Sequence, residues 1–137
     1  MKRLVPAALA LGLLACGFSP ATPPARAESG PSPVVTLTTA AFPAVKAQGK
    51  PVLVDFWAPW CGPCRQQGPI VEQVAVRLGD QAVIAKVNVD EEKALASQFE
   101  IRAIPTLVLM KDGAVVQRFV GVTSADALVA AIQSAKP

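Results

Sequence analysis

The sequence predicts one α/β domain built on a central mixed β-sheet with helices on both faces. Three observations carry that prediction. From residue 34 onward, short β-rich runs alternate with amphipathic helical stretches, the pattern of crossover units and a sheet covered on both sides. Near the end of the chain, Asp112-Gly113 separates two apolar runs, a strong hairpin signal that makes the sheet mixed. The 137 residues, 52% hydrophobic and 17% charged, suit a single domain with one modest core.

The elements follow in order. Residues 34–38 are a short β-rich run, and Thr39 is placed to cap a first helix reaching about Gln48. Gly49-Lys50-Pro51 breaks it, and residues 52–57 form a second strand. A long helix is expected from about Cys61 to Leu78, with Ile70, Val71, Val74 and Leu78 on one stripe. Gly79-Asp80 ends it. Residues 83–89 are a third strand, after which Asp90 is placed to cap a helix with Glu91 and Glu92 in its positive first turn. Residues 106–110 and 115–120 are the hairpin strands. Ser124 and Asp126 open a final helix with Leu128, Ala131, Ile132 and Ala135 facing inward.

Composition excludes several chemistries. The chain has no histidine, so Ser-His-Asp and Cys-His catalysis, His-ligated metals and His-ligated haem are ruled out within one chain. Three cysteines, Cys16, Cys61 and Cys64, are too few for an all-Cys zinc site. No metal site or bound cofactor is expected. The net charge of +3 belongs to the first 27 residues, where Lys2, Arg3 and Arg26 meet no acid. The remainder carries ten bases and ten acids, so nucleic acid is not an expected partner.

Residues 1–27 read as a leader. Lys2 and Arg3 precede an apolar run from 4 to 18, too short to span a membrane comfortably and laid out like a secretory signal. Two exits are open. Leu13-Leu14-Ala15-Cys16 resembles a bacterial lipobox, which would make Cys16 a lipidated first residue; Ala25-Arg26-Ala27 reads as a small-x-small cleavage site before Glu28. Residues 17–33 are mostly Pro, Gly, Ala and Ser, a tether composition that suits an anchored domain over residues 34–137. The expected location is exported, periplasmic or in the cell envelope, with membrane contact only through a lipid on Cys16.

The chemistry centres on Trp60-Cys61-Gly62-Pro63-Cys64, directly after the second strand and at the start of the long helix. Unpaired backbone N–H groups and the dipole favour an anion at Cys61. Cys64, three residues on, faces the same side and can close a disulfide. Pro63 suits the first helical turn, where its missing N–H costs nothing. Acidity alone explains little of such a pair's reactivity. For a thiol of pKa near 8.5, a fall of about 1.5 units raises the thiolate fraction about 15-fold, and the lower nucleophilicity removes about 5-fold of that. The larger gain comes from the second thiol attacking a mixed disulfide held beside it. A CxxC can also be half of a zinc site, a structural disulfide, or half of an iron–sulfur site shared between two chains. Neither a second pair nor a histidine completes a zinc site here, and a four-residue loop constrains the unfolded chain little.

Val54-Asp55-Phe56-Trp57-Ala58-Pro59-Trp60-Cys61-Gly62-Pro63-Cys64 resembles the thioredoxin family. So do Lys86-Val87-Asn88-Val89-Asp90, Ile104-Pro105-Thr106, Lys111-Asp112-Gly113 and Val120-Gly121, in the family's order across residues 34–135. The resemblance implies a thioredoxin fold and a thiol–disulfide oxidoreductase. It implies that Cys61 is the exposed attacking thiol and Cys64 the buried resolving thiol. Asp55 matches a buried carboxylate that moves the Cys64 proton, and Lys86 a lysine beside it. Read from the residues alone, Asp55 interrupts an apolar strand, where burial would raise a carboxyl pKa toward proton-transfer range; an ordinary solvated aspartate and an ordinary surface lysine are the plain alternatives.

Pro105 matches the family's cis-proline, with Ile104 offering backbone groups to an extended substrate. Trp60, Gly62 and Gly121 match a flat docking surface; Trp57 and Pro69 match structural positions, the latter kinking the long helix. Gly62-Pro63 resembles the reducing branch. The implied function is reduction of disulfides in client proteins by a monomer, in an exported compartment, with a membrane dithiol relay or reductase as electron donor. Two alternatives remain: a dedicated reductant of apocytochrome or another single client, since Arg65-Gln66-Gln67 resembles exported relatives serving cytochrome maturation, or a non-catalytic binding module on the same scaffold. Those relatives carry a central insertion for which the path from Leu78 to Val83 leaves no room.

Overall fold

A computed structural model describes residues 33–136. The leader, Cys16 and nearly all of the tether lie outside the described residues. The elements are β1 (Val35–Thr36), α1 (Phe42–Lys46), β2 (Val52–Trp57), α2 (Gly62–Leu78), β3 (Val83–Asn88), α3 (Lys93–Gln98), β4 (Thr106–Lys111), β5 (Ala114–Val120) and α4 (Ala125–Ser134). The five strands form one sheet in the order β1-β3-β2-β4-β5. β1, β3 and β2 run parallel, while β4 is antiparallel to both β2 and β5.

β2 lies at the centre and is buried along nearly its whole length, as a strand covered on both faces must be. Its alternation divides the core in two. Leu53 joins Leu107, Leu109, Val74, Leu78, Leu128 and Ile132 beneath α2 and α4. Val52, Val54 and Phe56 join Phe42, Val45, Leu95 and Phe99 beneath α1 and α3. Phe99 packs edge-on to Phe42 and tilted against Phe56, both at 5.4 Å between centroids. The period-2 rule then puts Asp55 and Trp57 on the α2 face with Leu53.

Local chemistry explains most boundaries. Asp112 and Gly113 have φ of 52° and 80°, the two left-handed residues that a tight hairpin between β4 and β5 demands. Ser124 accepts the Ala127 N–H and caps α4. α2 extends through Pro69 to Leu78, with Val71, Val74 and Leu78 buried.

Two expected caps are corrected. Thr39 does not cap α1, which starts three residues later at Phe42 with no side-chain cap. Its N–H and hydroxyl both donate to Glu92 Oε2, at 2.9 and 2.6 Å, and these bonds hold the Glu92 carboxyl below its ordinary pKa. Asp90 does not cap α3, which starts at Lys93 and has no acid in its first turn. Glu92 is occupied by Thr39, and Asp90 is drawn to Trp60. β1 is two residues long rather than five.

Candidate active site

The strand-to-helix turn after β2 sets the cysteines. Cys61 N–H donates to Ala58 O at 3.2 Å, and Cys61 then occupies the N-cap of α2 in an extended conformation. Its Sγ accepts the Cys64 N–H at 3.2 Å, so the sulfur satisfies one of the donors that a helix start leaves unpaired. Cys61 and Cys64 are disulfide-bonded with Cα atoms 5.3 Å apart. Gly62 and Pro63 lie exposed between them, in the first turn.

The expected contrast of an exposed Cys61 with a buried Cys64 is absent in this oxidised form: the residues are 5% and 4% exposed. Both pack with Ala58 against Trp57, Val89 and Ile104. What differs is the surroundings. Cys61 Sγ lies 3.8 Å from the Ile104 carbonyl oxygen. Cys64 lines a cavity of about 150 Å³ together with Trp57, Arg65, Gly68 and Lys86.

On the same side of the sheet, Asp55 is 3% exposed, and its Oδ1 has no hydrogen-bond partner. Burial pushes its pKa from 3.8 up to about 7, against the attraction of Lys86. The two are register partners across β2 and β3. Lys86 is half-buried, with Nζ 5.8 Å from the Trp57 ring centroid, within cation–π range.

A third group borders Cys61. The Ile104–Pro105 peptide is cis, and Pro105 O accepts the Gly121 N–H at 2.8 Å. Gly121 has φ 88°, a conformation that favours glycine. Trp60 is 67% exposed and its Nε1–H donates to Asp90 Oδ2 at 2.9 Å. Beside it, Val89, Ile101, Arg102 and Ile104 help line an apolar groove of about 180 Å³.

Two contributors were not anticipated. Gln67, read only as part of the Arg65-Gln66-Gln67 run, is buried and bonds to Thr123. Its signal was available, because it lies three and four residues from Cys64 and Val71 on the inner face. Asp90 as the Trp60 partner had no local signal. Among the described residues no cluster of three or more His, Cys, Asp or Glu could hold a metal ion, and no helix is long and apolar enough to cross a membrane.

This arrangement, a Cys61–Cys64 disulfide at a helix start with a buried carboxyl on the strand that leads into it, is suited to disulfide exchange. A family model described as Thioredoxin matches residues 33–134. A thioredoxin of Mycobacterium bovis is 40% identical over 111 residues, covering 80% of this chain and 96% of the relative. A thioredoxin of Mycolicibacterium smegmatis is 46% identical over 93 residues, 66% of this chain and 83% of the relative. A solved thioredoxin mutant from Halobacterium salinarum superposes with a TM-score of 0.69 at 39% identity, covering 79% of this chain and 96% of that one.

Proposed function

The chain belongs to the thioredoxin family, and on that premise we propose that it reduces disulfides of client proteins in an exported compartment. It is a thioredoxin-type disulfide oxidoreductase; the compartment, the direction in the cell and the residue roles are the proposal. The observation that carries it is the Cys61–Cys64 pair at the start of α2, with Cys61 Sγ beside the Ile104 carbonyl.

The reaction starts from the dithiol. The Cys61 thiolate attacks one client sulfur, forming a Cys61–client disulfide and expelling the other client sulfur as a thiolate. Cys64 loses its proton and attacks Cys61 Sγ, releasing the second client thiolate. Two electrons pass to the client, which takes up two protons, and the chain is left as its Cys61–Cys64 disulfide. A carboxyl with a pKa about 7 suits the proton exchange at Cys64, and the cavity that Cys64 lines is shared with Lys86, the register partner of Asp55, and is large enough for water. Lys86 opposes the rise that burial causes, drawing the Asp55 carboxyl back toward its charged form. Ile104 and Pro105 offer the client an extended backbone edge, while Trp60, Gly62 and Gly121 form the rest of the docking surface.

Gly62-Pro63 supports the reducing direction by resemblance, and the leader with Cys16 or Ala27 as its end supports export. Reduction there needs a membrane dithiol relay or reductase to restore the two electrons. The decisive variant is Cys61→Ser, assayed by insulin reduction with dithiothreitol as donor. The rate is expected to fall to that of dithiothreitol alone. Retained acceleration would remove Cys61 from the attack, and a wild-type chain that does not accelerate the reaction would be a binding module.

A further inference from the structure

We infer that Gln67 is a positioning residue that sets how client proteins dock beside Cys61, without touching the reacting sulfurs; this rests on the reductase reading above. Gln67 lies one helical turn beyond Cys64 and is 0% exposed. With Asp55 and Thr106 it is one of three buried polar side chains among the described residues. A primary amide offers both donor and acceptor, and Gln67 spends both on one residue. The Thr123 N–H donates to Gln67 Oε1 at 2.7 Å, and Gln67 Nε2–H donates to Thr123 O at 3.2 Å.

Thr123 sits in the link from β5 to the Ser124 cap of α4. Its hydroxyl donates to Gly121 O at 3.2 Å, and the Gly121 N–H donates to Pro105 O at 2.8 Å. Pro105 follows Ile104, whose carbonyl oxygen is 3.8 Å from Cys61 Sγ. The contacts close a ring: Cys64 to Gln67 along α2, then Thr123, Gly121, Pro105 and Ile104, and back to Cys61, which the disulfide joins to Cys64.

The ring makes the helix that carries the cysteines also hold the link that pairs with Pro105. An apolar side chain of the same length would fill the space and leave the Thr123 N–H and carbonyl without those partners. The link would then turn toward water, carrying Gly121 away from Pro105. Exposed Val120 and Val122 flank Gly121, so the docking side would be disturbed while the dithiol stayed in place.

Gln67→Met keeps length and helix propensity and removes both bonds. The test compares insulin with 5,5′-dithiobis(2-nitrobenzoate), a small disulfide with no polypeptide to dock. The expected result is a KM for insulin raised about tenfold, on the scale of one lost hydrogen bond. Its kcat, and the rate on the small disulfide, should stay within about twofold. An unchanged insulin KM, or an equal loss on both substrates, would overturn the inference. A wild-type chain inert on insulin fails earlier, at the reductase reading itself. Should the variant not fold, amide exchange on the unaltered protein decides. Thr123 and Gly121 N–H groups are expected to exchange at least about a hundredfold more slowly than in an unstructured peptide. Exchange at the peptide rate would overturn it.

Discussion

Asp55 on β2 and Lys86 on β3 are register partners in the parallel pair, yet the carboxyl is held near neutral acidity, at about 7, because burial outweighs the attraction of the lysine. A strand-centre aspartate costs folding free energy whenever it is ionised. In the proposed reaction that cost has a use, since a carboxyl that exchanges its proton near pH 7 can serve a thiol at the same pH.

The pH dependence follows in sign. Between about pH 4 and 7 the folded state keeps a proton at Asp55 that the unfolded chain has lost. Stability therefore falls as pH rises through that window and is flat with respect to Asp55 outside it. Asp55→Asn removes the slope, although its buried amide adds a pH-independent cost. Relative to wild type, the variant should gain on the order of 4 kcal/mol in denaturant unfolding between pH 3.5 and pH 8. Its disulfide reduction should slow about 100-fold, within the range of a lost general acid–base. Parallel stability curves for the two proteins would mean that Asp55 ionises without penalty.

The two cysteines are distinguished by what each variant captures. Cys64→Ser leaves the attacking thiol and removes the resolving one, so it should accumulate client disulfides on non-reducing gels. Cys61→Ser should accumulate none. Equal capture by both variants would assign the attack to either sulfur and undo the asymmetry proposed from their surroundings.

Much of the fold was legible because the signals were local or periodic. Asp112-Gly113 dictates its own left-handed turn, Ser124 caps the helix that follows it, and Val71, Val74 and Leu78 of the α2 stripe are buried, with Ile70 half-buried against them. The Cys61–Cys64 pair was legible for the same reason. Thr39 and Asp90 were misread as caps because their partners, Glu92 and Trp60, are 53 and 30 residues away. Both partners are carboxylates, and hydrogen bonds to a charged acceptor are shorter and stronger than those of a neutral cap, so the distant partner prevails. Gln67 lay on the inner face by its spacing from Cys64 and Val71, but its partner Thr123 is 56 residues away and has no local signal.

Export predicts a processed N-terminus. Intact mass of the protein isolated from cell envelopes should show a start at Glu28, or a lipid-bearing start at Cys16. A chain retaining Met1 and the leader would contradict export, and with it the need for a membrane electron donor.

The most direct test is the reduction potential of the Cys61–Cys64 couple, obtained by equilibrating the purified protein with defined thiol–disulfide buffers and trapping free thiols. A reductase predicts a value more negative than about −230 mV, on the reducing side of the glutaredoxin range. A value less negative than about −200 mV would leave the range of the reductants for that of the isomerases and oxidants, and contradict the reducing role assigned to it, despite Gly62-Pro63.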